Sequence, residues 1–145
     1  MPTIPMDALA EGTRLVGDRW SPLILAALLE GPRRYGDLAR DVPGISSNVL
    51  AQRLAALERN RLVVAEPYSR RPVRMRYALT ETGAELAPAL AALAAWGGRF
   101  GPGGQAEPVA HDVCGTPLDL RWHCSTCDVD VDVVEGRAAP GTFLA

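Results

Sequence analysis

Seven consecutive apolar residues, Leu23 to Leu29, stand between Ser21-Pro22 and Gly31-Pro32. The run is far shorter than the ~20 residues a bilayer span needs. Wound as a helix it is apolar on every side, so it is expected at the buried centre of a globular domain. Ser21 is the expected N-cap, with Pro22 at the first helical position. Gly31 is the expected stop, with Pro32 behind it. A chain of 145 residues, 48% hydrophobic and 22% charged, has room for one ordinary domain and a small appendage around such a helix.

The flanking segments supply partners for it. Residues 7–19 carry Leu9 and Val16 at roughly helical spacing, with Trp20 following, and read as a first helix weakened by Gly12 and Gly17. Tyr35 to Val42 reads as a short third helix, broken by Pro43-Gly44. Ser46 then caps a fourth helix reaching about Asn60, with Leu50, Leu54 and Leu57 on its inner face. Leu62–Tyr68 and Val73–Leu79 read as two strands around a hairpin tip at 69–72. Thr82 with Glu85 reads as a capping box for a fifth helix ending near Trp96. The glycine-rich stretch Gly97 to Gly104 is expected to be a linker.

Charge is divided unevenly along the chain. All fifteen basic residues are arginine. Residues 1–100 hold 13 of them against 10 acids, whereas residues 101–145 hold 2 against 7. From Arg19 to Arg76 the balance is 11 against 5. A basic middle with an acidic tail implies a polyanion partner for the first part alone.

A short helix, a Pro-Gly turn and an amphipathic helix make a helix-turn-helix, and a following hairpin makes it winged. The outer face of the fourth helix carries Asn48, Gln52, Ala55 and Arg59 rather than Glu/Lys pairs. Ser47, Asn48, Ala51 and Gln52 lie near its start, where side chains reach base edges, and the cap Ser46 belongs to the same DNA-binding set. Asn and Gln can pair bidentately with adenine, and Ala51 can touch a thymine methyl. Arg53 and the helix N-terminus suit phosphates. Arg70 and Arg71 at the hairpin tip suit phosphates or a narrow minor groove. The competing reading makes these residues a solvated surface and the hairpin arginines a guard on an edge strand.

Arg19-Trp20, Arg34-Tyr35-Gly36-Asp37-Leu38, Gly44-Ile45-Ser46, the Leu54–Leu57-Glu58 register and Tyr77-x-Leu79-Thr80-x-x-Gly83 stand in order along the chain. Over about residues 7–97 this pattern resembles the HxlR-type winged helix-turn-helix regulators, close to the MarR-like group. The resemblance implies a dimeric, sequence-specific transcription factor on double-stranded DNA. It implies that the first and last helices pack across a two-fold axis, with Leu9, Leu86, Leu90, Leu93 and Trp96 as the matching interface residues. It also implies response to electrophiles or small ligands. A small hydrophobic effector would find apolar surface between the dimer helices and the central helix. Redox-sensing members carry a reactive cysteine near the N-terminus, where this chain has Met6-Asp7-Ala8.

All three cysteines fall in the tail. His111-x2-Cys114 and Cys124-x2-Cys127 form two close pairs nine residues apart. Pairs so spaced, each in a tight turn, suit a tetrahedral Zn2+ site of Cys3His type. Leu118, Leu120 and Trp122, then Val129, Val131 and Val133, alternate with polar residues as two short strands. The expectation is a miniature zinc ribbon whose metal supplies folding energy that ~30 residues cannot find in a core. The competing reading is a tail hairpin with three reduced thiols, and His123 is a spare donor.

The expected fold is mainly α with a β-hairpin wing, plus a small C-terminal zinc-ribbon-like β appendage. The expected boundaries are 1–97 for the winged helix-turn-helix, 98–108 for a linker and 109–145 for the Cys/His tail. The expected function is DNA-binding transcriptional regulation as a homodimer, with helix 46–60 in the major groove and wing 69–72 on the backbone. Two alternatives stand beside it: a metal- or redox-responsive sensor worked by the tail, and a protein-interaction module that has lost DNA contact. An enzyme is not expected. There are two histidines in the whole chain, and no nucleophile–base order, phosphate loop or deaminase His-x-Glu signature is seen. No signal peptide or membrane span is visible, so the expected compartment is the cytoplasm.

Overall fold

A computed structural model of the chain describes residues 3–100, 108–118 and 121–131. Helices α1 (Met6–Val16), α2 (Ser21–Leu29), α3 (Tyr35–Asp41) and α4 (Ser47–Arg59) come first, with a two-residue strand β1 (Arg33–Arg34) ahead of α3. Strands β2 (Val63–Arg70) and β3 (Val73–Leu79) form the hairpin. Helices α5 (Glu81–Ala84) and α6 (Ala87–Phe100) follow, and β4 (Trp122–Cys124) with β5 (Val129–Val131) lies in the tail. The fold is a winged helix-turn-helix: helices plus a small antiparallel sheet in the order β1-β3-β2.

The core gathers Ile24, Leu25 and Leu28 of α2, Leu38 and Val42 around α3, and Leu50, Leu54 and Leu57 of α4, closed by Leu62 and Val63. The central helix is therefore buried on one face only. Leu23 and Leu29 of the apolar run stay exposed, because the neighbouring elements pack on a single side of it.

The start of α2 differs from expectation. Ser21 is already helical and Trp20 precedes it as the cap residue. Asp18 does the capping instead: its Oδ1 accepts the backbone N–H groups of Trp20 (2.8 Å) and Ser21 (3.0 Å), and its Oδ2 accepts the Ser21 hydroxyl. A carboxylate three residues upstream can take two orphan helix donors where one hydroxyl takes only one. The first helix likewise stops at Val16, with Gly17 as its cap residue, whose N–H closes the last helical bond onto the Thr13 carbonyl (2.7 Å).

The last helical region is divided. Thr80, not Thr82, is the cap, accepting the Gly83 N–H at 3.0 Å while its hydroxyl donates to the Arg61 carbonyl at 2.6 Å. The chain breaks at Glu85–Leu86 and restarts as α6, with Pro88 in its first turn, where a missing N–H costs little. That helix runs through Gly97 and Gly98 to Phe100, so the expected linker begins later than the glycines implied. Residues 101–107, the rest of the expected linker glycines among them, lie outside the described residues. So do Leu120 and Val133 of the expected tail strands. Among the described residues no helix is long and apolar enough to cross a membrane.

Candidate nucleic-acid interface

The second helix of the pair is set by local chemistry. Gly44 adopts φ +79, a left-handed conformation that side chains resist, and so makes the turn between α3 and α4. Ser46 is extended and its side chain accepts the Val49 N–H at 3.3 Å, which starts α4 as expected. Leu50, Leu54 and Leu57 anchor the inner face. Ser46, Ser47, Asn48, Ala51 and Gln52 are exposed, as are Ala55 and Arg59 further along. The amide-bearing side of α4 thus faces outward as one exposed strip among the described residues.

Tyr35 was not singled out by sequence, yet it fixes this strip. Its hydroxyl donates to the Ser47 carbonyl at 2.6 Å, tying the start of α3 to the first turn of α4. Asp37 caps the same start, accepting the Arg34 N–H at 3.2 Å. Arg53 sits between the buried and outward faces. Its Nη1 lies 3.5 Å from Asp18 Oδ2, and its Nε is buried with no hydrogen-bond partner among the described residues.

The hairpin is longer than the sequence suggested. Ser69 and Arg70 belong to β2, opposite Arg74 and Val73, and the tip narrows to Arg71-Pro72. A register shift between Pro67 and Ser69 leaves Tyr68 as the extra residue of a bulge, which bends and twists the wing. Arg70, Arg71, Arg74 and Arg76 are all exposed. Arg76 is tied to Glu66 at 3.2 Å, whereas Arg70 ends β2 and Arg71 stands at the tip. The short strand β1 was missed because two arginines carry no alternation. It pairs Arg33 with Tyr77 and Arg34 with Arg76, and the Arg34 guanidinium lies 4.4 Å above the Tyr68 ring. The cation–π contact steadies the base of the wing.

The expected interface residues fall into two groups. Leu86 and Leu90 are half-buried against the chain's own core. Leu9, Leu93 and Trp96 are exposed, together with Met6 and Phe100. Trp96 and Phe100 rings lie 5.7 Å apart on the same side of α6. Helix α1 has no buried residue at all.

In the tail, His111 Nδ1 lies 3.2 Å from Cys114 Sγ, and Gly115 with φ +68 closes that turn. The Cys124–Cys127 turn closes in the same manner at Asp128, whose φ is 53 and whose N–H donates to the Cys124 carbonyl at 2.8 Å. Thr116, then His111, hydrogen-bonded to the Cys114 thiol, pull its pKa down to about 7. Hydrogen bonds from the Cys127 and Thr126 backbone lower that of Cys124. The spare, His123, is taken up by Asp130 at 3.2 Å. Among the described residues, no three His, Cys, Asp or Glu side chains stand together as a metal site, so the four expected donors are held as two separate pairs.

Comparison with known proteins agrees with this geometry. A family model described as HxlR-like helix-turn-helix matches residues 15–104. An uncharacterized HTH-type transcriptional regulator of Mycobacterium tuberculosis is 35% identical over 137 residues, covering 93% of this chain and 86% of that protein. The chain is 37% identical to the HTH-type transcriptional regulator YodB of Bacillus subtilis over 86 residues, 59% of this chain and 77% of YodB. Among solved structures, the reduced form of YodB superposes with TM-score 0.58 at 33% identity, covering 69% of this chain and 96% of that one. PA1374 from Pseudomonas aeruginosa gives TM-score 0.65 at 30% identity and covers 94% of this chain and 93% of its own, so the likeness extends into the tail.

Proposed function

This chain belongs to the HxlR-like helix-turn-helix family, and on that premise we propose that it regulates transcription as a DNA-binding homodimer. The observation that carries the reading is the outward amide strip of α4, with Asn48 and Gln52 exposed above a fully buried leucine face. In this reading α4 lies in the major groove. Asn48 and Gln52 read base edges, Ala51 meets a thymine methyl, and Ser46 and Ser47 bring backbone N–H groups to phosphate. Arg70 and Arg71 rest on the sugar-phosphate backbone or in the minor groove.

The homodimer is supported by what α1 and α6 leave uncovered. An isolated helix of 11 residues is marginal in water, and α1 buries none of its own. Met6 and Leu9, with Leu93, Trp96 and Phe100, supply the apolar cover a second copy needs. Two copies would place their α4 helices in half-sites about one helical turn, ~34–36 Å, apart. A small hydrophobic effector is part of the same proposal. Its support is a cavity of about 530 Å3 between α6 and the tail, lined by Ala87, Ala91, Ala95, Arg99, Val109 and Leu118.

The test is selection of duplexes from a randomised pool by the full chain, then footprinting and sedimentation. Two protected half-sites and a complex of two chains are expected. Selection of no duplex at low ionic strength ends the reading.

For the tail we propose Zn2+ held by His111, Cys114, Cys124 and Cys127, which would make DNA binding answer to metal or thiol chemistry. The supporting observation is that both donor pairs sit on turns closed by a left-handed residue, Gly115 and Asp128. The donor set suits Zn2+, and a shared ion requires the two turns to close on one another. Elemental analysis of protein purified without chelator should give about one zinc per chain. A value well below that leaves the tail as a thiol hairpin.

A further inference from the structure

We propose that Asp18 is a positioning residue for DNA reading: it holds the Arg53 guanidinium at the margin of the recognition helix, presented to the sugar-phosphate backbone. The inference rests on the DNA-binding reading above and assigns within it a residue outside the helix-turn-helix.

Asp18 lies in the loop between α1 and α2, and its carboxylate has almost no freedom. Oδ1 is fixed by the Trp20 and Ser21 backbone N–H groups at 2.8 and 3.0 Å, and Oδ2 by the Ser21 hydroxyl. Ser21 is itself 2% exposed, so the first turn of the central helix dictates where the charge sits. Arg53 Nη1 meets that charge at 3.5 Å, across from another helix.

Arg53 is also partly enclosed. Its Nε is buried, without a hydrogen-bond partner among the described residues, while 38% of the side chain stays exposed. A planar guanidinium seated on one edge and paired at Nη1 presents its remaining N–H groups in a fixed direction. On α4, Arg53 follows Gln52 and lies between the outward strip and the buried leucines. A side chain at that margin of a helix in the major groove faces the flanking phosphates rather than the bases.

The same loop touches the turn that starts the recognition helix. The Trp20 ring comes to 3.9 Å from where a Cβ on Gly44 would be. Trp20 at the turn and Asp18 at Arg53 thus brace α4 at two places from the residues that join α1 to α2. Removing the Asp18 charge should release Arg53 without unseating the leucine face.

The test is a double-mutant cycle in the full chain, using the best duplex that the wild type selects from a randomised pool. R53A is expected to weaken binding about ten-fold and to lower the salt slope by about one. D18N keeps one oxygen acceptor for the Trp20 and Ser21 N–H groups, and should weaken binding about five-fold in the wild type and not at all in R53A. R53K, which keeps charge but not the fork, should recover only part of the R53A loss. Equal losses from D18N in both backgrounds would make Asp18 a cap and nothing more, and would overturn the inference. Tighter binding by D18N would overturn it too, since Asp18 would then merely repel the duplex. Should D18N fail to fold, D18S caps α2 without charge and enters the same cycle. A wild type that selects no duplex removes the DNA-binding reading and this one together. Selection with no coupling removes this one alone.

Discussion

The Tyr35 hydroxyl donates to the Ser47 carbonyl at 2.6 Å, so the first turn of the recognition helix hangs from the helix before it. This bond joins two helices that are also held by the core leucines and by Trp20, whose ring lies against the turn. Tyr35→Phe keeps the ring and removes the donor. One such hydrogen bond contributes about 0.5–1.5 kcal/mol. Urea unfolding should show a loss in that range, and duplex affinity should fall with the salt slope unchanged, because no phosphate contact is removed. Unchanged stability and unchanged affinity would mean that the bond does not brace the turn.

The strip on α4 and the tip of the wing should separate in their response to sequence and salt. If α4 lies in the major groove as proposed, Gln52→Ala should relax preference at one base position by about 1–3 kcal/mol. With the wing tip on the sugar-phosphate backbone as proposed, Arg71→Ala should weaken all duplexes about equally while the salt slope drops by about one. Affinities for a single-base-substituted duplex series at several salt concentrations distinguish the two. If both variants lost affinity uniformly, α4 would not be reading bases.

What could be read ahead of the structure was whatever carried a period or a strong stop. The leucine face of α4 repeats at helical spacing and Ser46 caps its start, and both lie where expected; the strand Val73–Leu79 also forms at its expected bounds, although its residues are exposed on both sides as far as Arg76. The features that were missed depend on partners distant in sequence or on competition between similar signals. Tyr35 meets Ser47 twelve residues on, and Asp18 meets Arg53 across two helices. Thr80 and Thr82 are both plausible caps by composition, and the choice is made by the Arg61 carbonyl, which only the folded chain brings to Thr80. Glycine at 97 and 98 signals flexibility locally, yet the helix before it continues through both. Leu86 and Leu90 share a helical stripe with Leu93, but α6 turns the first two inward against the core.

Two glycines in helical segments should respond oppositely to alanine. A Cβ on Gly83 would lie 2.1 Å from the Leu62 carbonyl oxygen, which belongs to rigid backbone. Gly83→Ala should cost about 2–3 kcal/mol through this overpacking. A Cβ on Gly36, in α3, meets nothing within 4 Å. Gly36→Ala should stabilise by about 0.5 kcal/mol by restricting the unfolded chain. Denaturant titration of both variants checks the pair. A Gly83→Ala protein as stable as the wild type would mean that α5 is not pressed against the Leu62 backbone.

Asp18 also makes stability depend on acid in a defined direction. Partial burial pushes its carboxyl pKa up, but the Ser21 hydroxyl, the Trp20 and Ser21 N–H groups and Arg53 outweigh this and hold it below the ordinary carboxylate value. A folded pKa below the unfolded one means that the unfolded chain binds the proton more readily. The contribution of this carboxylate is therefore full above the unfolded value of about 3.9, and is lost as pH falls through the lower folded value. The stability difference between wild type and D18N should be constant from about pH 5 upward and shrink below about pH 4. Urea unfolding of both proteins across that range measures it directly. A difference that persisted undiminished in acid would show that the carboxylate charge contributes nothing to the α1–α2 junction.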